Sequence, residues 1–142
     1  MKKDILAVGL FLLLLCLHGC VVVVDEEQQY PRHSDTHPPA DGIITEIDAV
    51  GKLMLESHKR QGYEKIALRD NLSPEAQTHL VKAVFDNLML ESSKENVLLT
   101  IINNPGFCPA GERAVLKRLD KLMLESNKRN ILDAISERKN SG

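Results

Sequence analysis

The chain has 142 residues, of which 43% are hydrophobic, 27% charged and 4% aromatic, and it contains no Trp. This length allows one domain, and the composition excludes an intrinsically disordered protein. The formal net charge of −2 provides no basic footprint, so we set nucleic-acid binding aside. With so few aromatic residues, aliphatic side chains must form the core, which favours helices packed on helices.

The N-terminus has the anatomy of an export signal. Two lysines precede an apolar run over residues 5–17, and the run ends in the sequence LHGC at residues 17–20. The run is short for a bilayer span, which needs about 20 residues. LHGC resembles the lipobox of bacterial lipoproteins, and this resemblance covers only the first 20 residues. It implies a signal peptide over residues 1–19, a lipid on Cys20 and, in a Gram-negative cell, retention in the outer membrane facing the periplasm.

Two other interpretations of this segment stay open. The apolar character continues to Val24, so residues 5–24 are long enough for an uncleaved membrane anchor. An ordinary cleaved signal would instead release a soluble protein, although no pair of small residues marks such a cleavage site. All three interpretations place the body of the protein outside the cytoplasm.

Residues 20–38 are predicted to be a lipidated Cys and a flexible tether. From residue 25 the sequence is charged, interrupted by Pro, and without apolar periodicity, so it cannot bury enough surface to fold. His33, Asp35 and His37 have a spacing that suggests metal ligands, but a metal site needs a rigid frame. We interpret them as part of a solvated linker and expect no metal.

The sequence LMLES occurs three times, at residues 53–57, 88–92 and 122–126, with spacings of 35 and 34. Each copy follows a segment with apolar residues three or four apart, which is the period of an amphipathic helix. Each segment begins with a proline, which is favoured at the first helical position. These prolines are Pro39, Pro74 and Pro109.

A second apolar segment with helical spacing follows each copy of LMLES. We interpret Leu-Met-Leu as the end of the first helix, with its side chains in the core, and Glu-Ser as the turn. Ser57, Ser92 and Ser126 are then expected to cap the second helices. The sequence therefore predicts an all-α protein in which residues 39–142 form three helix-turn-helix units of about 35 residues. The units would stack as a short solenoid or as a compact six-helix bundle.

Two further features have both a structural and a functional interpretation. Lys59, Lys94 and Lys128 each follow the Glu of LMLES by three residues, which favours exposed ion pairs over a charged ridge that docks a partner. Cys108 precedes Pro109, and packing in a corner between helices is favoured there over a reactive thiol.

The sequence carries no phosphate loop, zinc motif, nucleophile elbow or CxxC pair, so we expect no cofactor and no catalytic residue. The preferred function is a membrane-anchored envelope lipoprotein that acts as a protein-interaction module. The alternatives are a small enzyme or ligand-binding protein with a pocket between hairpins, and a structural spacer that self-associates.

Overall fold

A computed structural model describes residues 40–140, with side chains described from residue 42 onward. The predicted signal peptide, Cys20, the tether and Pro39 lie outside the described residues. The described residues form six α-helices and a short 3₁₀ helix, with no β-strand among them. The α-helices are α1 (Ala40–Gly51), α2 (Glu56–Ala67), α3 (Pro74–Asn87), α4 (Glu91–Asn103), α5 (Pro109–Leu116) and α6 (Glu125–Asn140), and the 3₁₀ helix is Leu119–Lys121. The prediction of an all-α protein that forms a compact six-helix bundle is confirmed.

The first helices of the second and third hairpins begin where the prolines predict. Pro74 and Pro109 occupy the first turns of α3 and α5. Ser73, in the extended conformation, accepts a 3.1 Å hydrogen bond from the amide of Ala76. The proline ring fixes the backbone for the first turn, and the serine satisfies one of the amides that the helix leaves free there.

The six helices pack as a compact bundle of two rows. Helices α1, α3 and α5 form one row, and α2, α4 and α6 form the other. The closest packing joins neighbours within a row, while α1 with α2 and α3 with α4 also pack as hairpins. We define unit 1 as residues 40–73, unit 2 as residues 74–108 and unit 3 as residues 109–140. Each unit therefore gains its stability by packing on the next.

One continuous apolar core runs through the three units. Tyr63 is its largest fully buried side chain, and the Tyr63 hydroxyl accepts a 3.0 Å hydrogen bond from the side chain of Asn87 in unit 2. Burial raises the pKa of Tyr63 above its usual value. The other large side chains that are fully buried are Ile47, Ile66, Leu80, Val81, Val84, Val97, Leu98, Ile101, Ile102, Leu122 and Ile131.

Polar side chains join the loops of successive units. The side chain of Asn104 donates hydrogen bonds to the carbonyl groups of Ala67 (2.7 Å) and Arg69 (2.9 Å) in the preceding unit. One unit later, Arg138 donates in the same way to the carbonyl groups of Ile102 (3.3 Å) and Pro105 (2.7 Å). These contacts satisfy carbonyl groups at helix ends, which would otherwise lose hydrogen bonds on burial.

No helix within residues 40–140 has the length and hydrophobicity needed to cross a membrane.

Candidate interaction surface

The Leu-Met-Leu part of each LMLES copy connects the two helices of its unit, and the glutamate begins the second helix. Helices α1 and α3 end at Gly51 and Asn87, before Leu-Met-Leu, and the third copy follows the 3₁₀ helix. The backbone at Leu55 and Leu90 is extended, with φ of −89° and −77°. The prediction that Leu-Met-Leu completes the first helix is therefore wrong.

The side chains of these connections divide between core and solvent. The first leucine is buried in two copies, at Leu88 (3% exposed) and Leu122 (1%). The methionines are between 83% and 96% exposed, and the second leucines between 52% and 57%. An extended backbone points successive side chains in opposite directions, so only some of them can reach the core. We call the exposed set the Met-Leu ridge, which consists of Met54, Leu55, Met89, Leu90, Met123 and Leu124.

The serines of LMLES do not cap the second helices. The residue before α2 is Leu55 and the residue before α4 is Leu90, and neither helix has a side-chain cap. Ser57, Ser92 and Ser126 lie one residue inside α2, α4 and α6, whose first residues are the glutamates. The predicted capping role is therefore wrong, because a cap must precede the first helical residue.

The glutamates of LMLES bind the backbone of the next unit. Glu56 Oε1 accepts hydrogen bonds from the amides of Met89 (3.1 Å) and Leu90 (3.1 Å). One unit later, Glu91 Oε2 accepts a 2.8 Å hydrogen bond from the amide of Met123. We call this contact the glutamate clasp. It holds successive connections side by side, so the Met-Leu ridge follows one edge of the stack.

The environment of Glu91 keeps its carboxylate ionised. Partial burial acts to raise the pKa of Glu91, but hydrogen bonds from the amide of Met123 and the ammonium of Lys94 outweigh it and lower the pKa below the usual value. The Lys94 Nζ to Glu91 Oε1 distance is 3.1 Å. A charged acceptor makes the stronger hydrogen bond, so ionisation and the clasp support each other.

Two of the three predicted Glu-Lys pairs form. Lys94 pairs with Glu91, and Lys128 lies 2.6 Å from Glu125. Lys59 instead donates to the carbonyl group of Asn87 at 3.3 Å, in the next unit. Lys94 therefore pairs with a glutamate of the clasp, whereas Lys59 bonds directly to the next unit.

A groove crosses the edge of the stack beside the ridge. It has a volume of about 640 Å³ and separates the first turns of α2 and α4. Leu55 and Leu90 of the ridge contribute apolar surface to it, and Arg60 and Asn96 contribute polar groups. Two leucines among polar side chains suit an amphipathic segment of a partner.

A second groove, of about 400 Å³, lies along the row of α1, α3 and α5. Its lining includes Ile44, Glu75, His79 and Lys82. His79 Nε2 lies 2.7 Å from a carboxylate oxygen of Asp48, which joins α1 to α3. No group of three or more His, Cys, Asp or Glu residues within the part of the chain that the structure describes could hold a metal ion.

Cys108 directly precedes the proline of α5, as Ser73 directly precedes the proline of α3. It is half-buried and free, and its side chain makes no capping hydrogen bond. Its amide donates a 3.0 Å hydrogen bond to Gln77 Oε1, while the amide group of that buried side chain donates to the carbonyl groups of Leu72 and Gly106. The side chain of Gln77 therefore joins the loop before α5 to α3 and to the end of unit 1. Whether its thiol reacts in the folded protein stays a prediction.

Sequence reasoning identified the repeated segments but missed the ridge and the clasp. The signal for the ridge was present, because Met and the second Leu recur with an acidic residue directly after them. No protein-family model, no curated protein and no solved structure matches the chain.

Proposed function

We propose that this protein is a membrane-anchored lipoprotein of the cell envelope, and that its helical body binds a partner protein through the Met-Leu ridge. The observation that carries the binding proposal is the exposure of Met54 (96%), Met89 (85%) and Met123 (83%) at equivalent places in three successive units. Methionine has a flexible, polarisable side chain that adapts to varied apolar surfaces and is frequent at binding surfaces. A repeated row of such side chains favours an interaction surface over chance exposure.

The chemistry of the ridge favours an apolar, elongated partner segment. Leu55, Leu90 and Leu124 flank the methionines and are about half exposed, so the apolar contact continues from one unit to the next. Arg60 and Asn96 line the adjoining groove and provide hydrogen-bond donors for the polar side of the segment. An amphipathic helix lying across two or three units fits this arrangement.

The ridge is tested by photo-crosslinking the full chain in its native cell. A photo-reactive side chain replaces Met89, and the matched control carries it at Leu68, which is 69% exposed and lies outside the ridge. We expect a discrete protein adduct from position 89, lost when Met54 and Met123 are changed to Glu, and no such adduct from position 68. Equal adducts from both positions, or adducts with lipid alone, would contradict the proposal.

The anchor is tested separately by labelling with a radioactive fatty acid. The lipobox interpretation predicts that Cys20→Ala abolishes the label and leaves the full-length precursor, whereas Cys16→Ala changes neither. Unchanged labelling and membrane attachment of Cys20→Ala would rule out lipidation at this residue. The binding proposal would stand in that case, because it depends on residues 40–140.

A further inference from the structure

The contact between successive units occurs twice in the chain, which allows the two end faces to be compared with it. Units 1 and 2, and units 2 and 3, meet through the helices of both rows and through the glutamate clasp. The outer face of unit 3 has the positions through which units 1 and 2 contact the unit that follows them. The outer face of unit 1 has the positions through which units 2 and 3 contact the unit that precedes them. The outer face of unit 3 in one copy could therefore pack on the outer face of unit 1 in another, as successive units do within one chain.

The outer face of unit 3 exposes leucines that its neighbours bury. Leu132 follows the LMLES glutamate by seven residues, as Leu98 does in unit 2, yet Leu132 is 43% exposed and Leu98 is fully buried. Leu116 follows its proline by seven residues, as Val81 does, and is 40% exposed whereas Val81 is fully buried. At the position of Leu98 and Leu132, a following unit accounts for the burial in unit 2, since Tyr63, their counterpart in unit 1, contacts Asn87 of unit 2. The counterpart of Val81 and Leu116 in unit 1 is Glu46, which pairs with Arg69 of its own unit.

The clasp is also incomplete at this end. Glu125 has a side chain that is 82% exposed, and it pairs with Lys128 of its own helix. That ion pair lowers the pKa of Glu125, so the carboxylate is charged at neutral pH. Glu91, one unit earlier, pairs with its own lysine and also accepts the amide of Met123. An ion pair with lysine is therefore compatible with a clasp.

The outer face of unit 1 shows the complementary features. Leu53 is 41% exposed, whereas Leu88 and Leu122, at the same place in the later units, are 3% and 1% exposed. The amides of Met89 and Met123 donate to a clasp. Within residues 40–140, the amides of Met54 and Leu55 donate no hydrogen bond. These two amides are therefore available to donate hydrogen bonds to Glu125 of another copy, which would complete a clasp.

We propose that copies of this chain associate head to tail, with the outer face of unit 3 of one copy packed on the outer face of unit 1 of the next. Leu116 and Leu132 contact the next copy, and Leu53 of that copy is buried in return. Glu125 accepts hydrogen bonds from the amides of Met54 and Leu55. The interface is heterologous, so each added copy presents a new free end and the assembly grows as an open series.

The test measures the association of the full chain in detergent micelles by sedimentation velocity. Wild type is expected to form dimers and longer species as its concentration rises. Leu53→Glu and Leu132→Glu are each expected to remain monomeric, because every contact needs both faces. The double variant gives the monomer baseline in the same micelles. Unchanged helicity and melting temperature show that these exposed positions tolerate Glu. Glu125→Ala is expected to weaken association on the order of tenfold, the loss of a charge-assisted hydrogen bond.

Mixing the two single variants provides the sharpest result. The Leu53→Glu copy keeps an intact unit 3 face, and the Leu132→Glu copy keeps an intact unit 1 face. The mixture is therefore expected to form dimers and nothing larger. Met89→Glu, on the ridge, is expected to associate as wild type does, so this proposal and the ridge proposal fail independently. A wild type that stays monomeric at every concentration, single variants that still associate alone, or a mixture that stays monomeric would each overturn the proposal.

Discussion

Glu91 Oε2 accepts a 2.8 Å hydrogen bond from the backbone amide of Met123, which lies 32 residues later in the sequence. The same contact joins Glu56 to the amide of Met89. The carboxylate of Glu56 satisfies the amides of the connection that precedes α4, a helix whose own first turn has no side-chain cap. Stability in this protein therefore depends on contacts between units as well as on the helices themselves.

The clasp predicts unequal costs for the same substitution in different units. Glu91→Ala is expected to lower the free energy of unfolding by about 2 kcal/mol, since it leaves an amide without its charged acceptor. Glu125→Ala is the matched control, because it removes the same charge from the first turn of a helix without breaking a clasp. Its effect is expected to be much smaller under conditions where the protein is monomeric. Urea unfolding followed by circular dichroism measures both, and equal losses would contradict the role of the clasp.

The clasp should also weaken in acid. Hydrogen bonds from Met123 and Lys94 hold the pKa of Glu91 in the folded protein below its ordinary value of 4.5. A carboxylate with a lowered folded pKa contributes stability that is fully present above its unfolded pKa and lost as the pH falls through its folded pKa. The stability difference between wild type and Glu91→Gln is therefore expected to be constant near neutral pH and to shrink below about pH 4.5. Urea unfolding across this range tests it, and a difference that grows in acid would reverse the assignment.

Neighbouring residues of one connection are expected to respond very differently to truncation. Leu88 is 3% exposed and Met89 is 85% exposed. Leu88→Ala should lower the free energy of unfolding by about 2–5 kcal/mol through loss of buried contacts. Met89→Ala should change it by less than about 0.5 kcal/mol. Thermal unfolding of the two variants provides the comparison, and a large loss for Met89→Ala would show that the ridge supports the fold.

The start of α5 offers a stabilising substitution. Cys108 precedes the helix in an extended conformation, with φ of −113° and no side-chain cap, at the place where Ser73 caps α3. Cys108→Ser is therefore expected to raise the free energy of unfolding by about 0.5–1 kcal/mol. Cys108→Ala, which adds no acceptor, should not. Guanidinium unfolding distinguishes the two, and equal stability of both variants would show that the hydroxyl does not reach an amide.

The helical hairpins could be predicted from local sequence. Spacing of three and four between apolar residues identifies a helix without knowledge of its neighbours, and a proline marks where one begins. Buried positions such as Ile66, Leu80 and Ile101 follow this rule. The exceptions are Leu116 and Leu132, which have the correct spacing and are exposed. Their exposure depends on the order of units in the stack, which no local pattern contains.

The connections could not be predicted in the same way. Leu-Met-Leu is apolar, which is typical of a buried segment, and the serine two residues later is of a type that often caps a helix. The glutamate between them decides the structure, because its hydrogen bonds reach 33 residues along the chain, as from Glu56 to Met89. Apolar residues can lie in solvent where a polar neighbour fixes the backbone. The repetition of LMLES indicated that these residues have a common role. The role itself, a contact between successive units, is seen only in the packed structure.

The clasp binds the backbone amides of residues 89 and 123 rather than their side chains, and the side chain of residue 54 lies in solvent. The fold therefore places few demands on the side chains at these three positions. We therefore expect each of these three positions to accept other side chains without a change in the fold. Replacing the methionines by aromatic, charged or metal-binding side chains would change the chemistry of this surface. The spacing between the three positions would stay the same, because the helical bundle sets it.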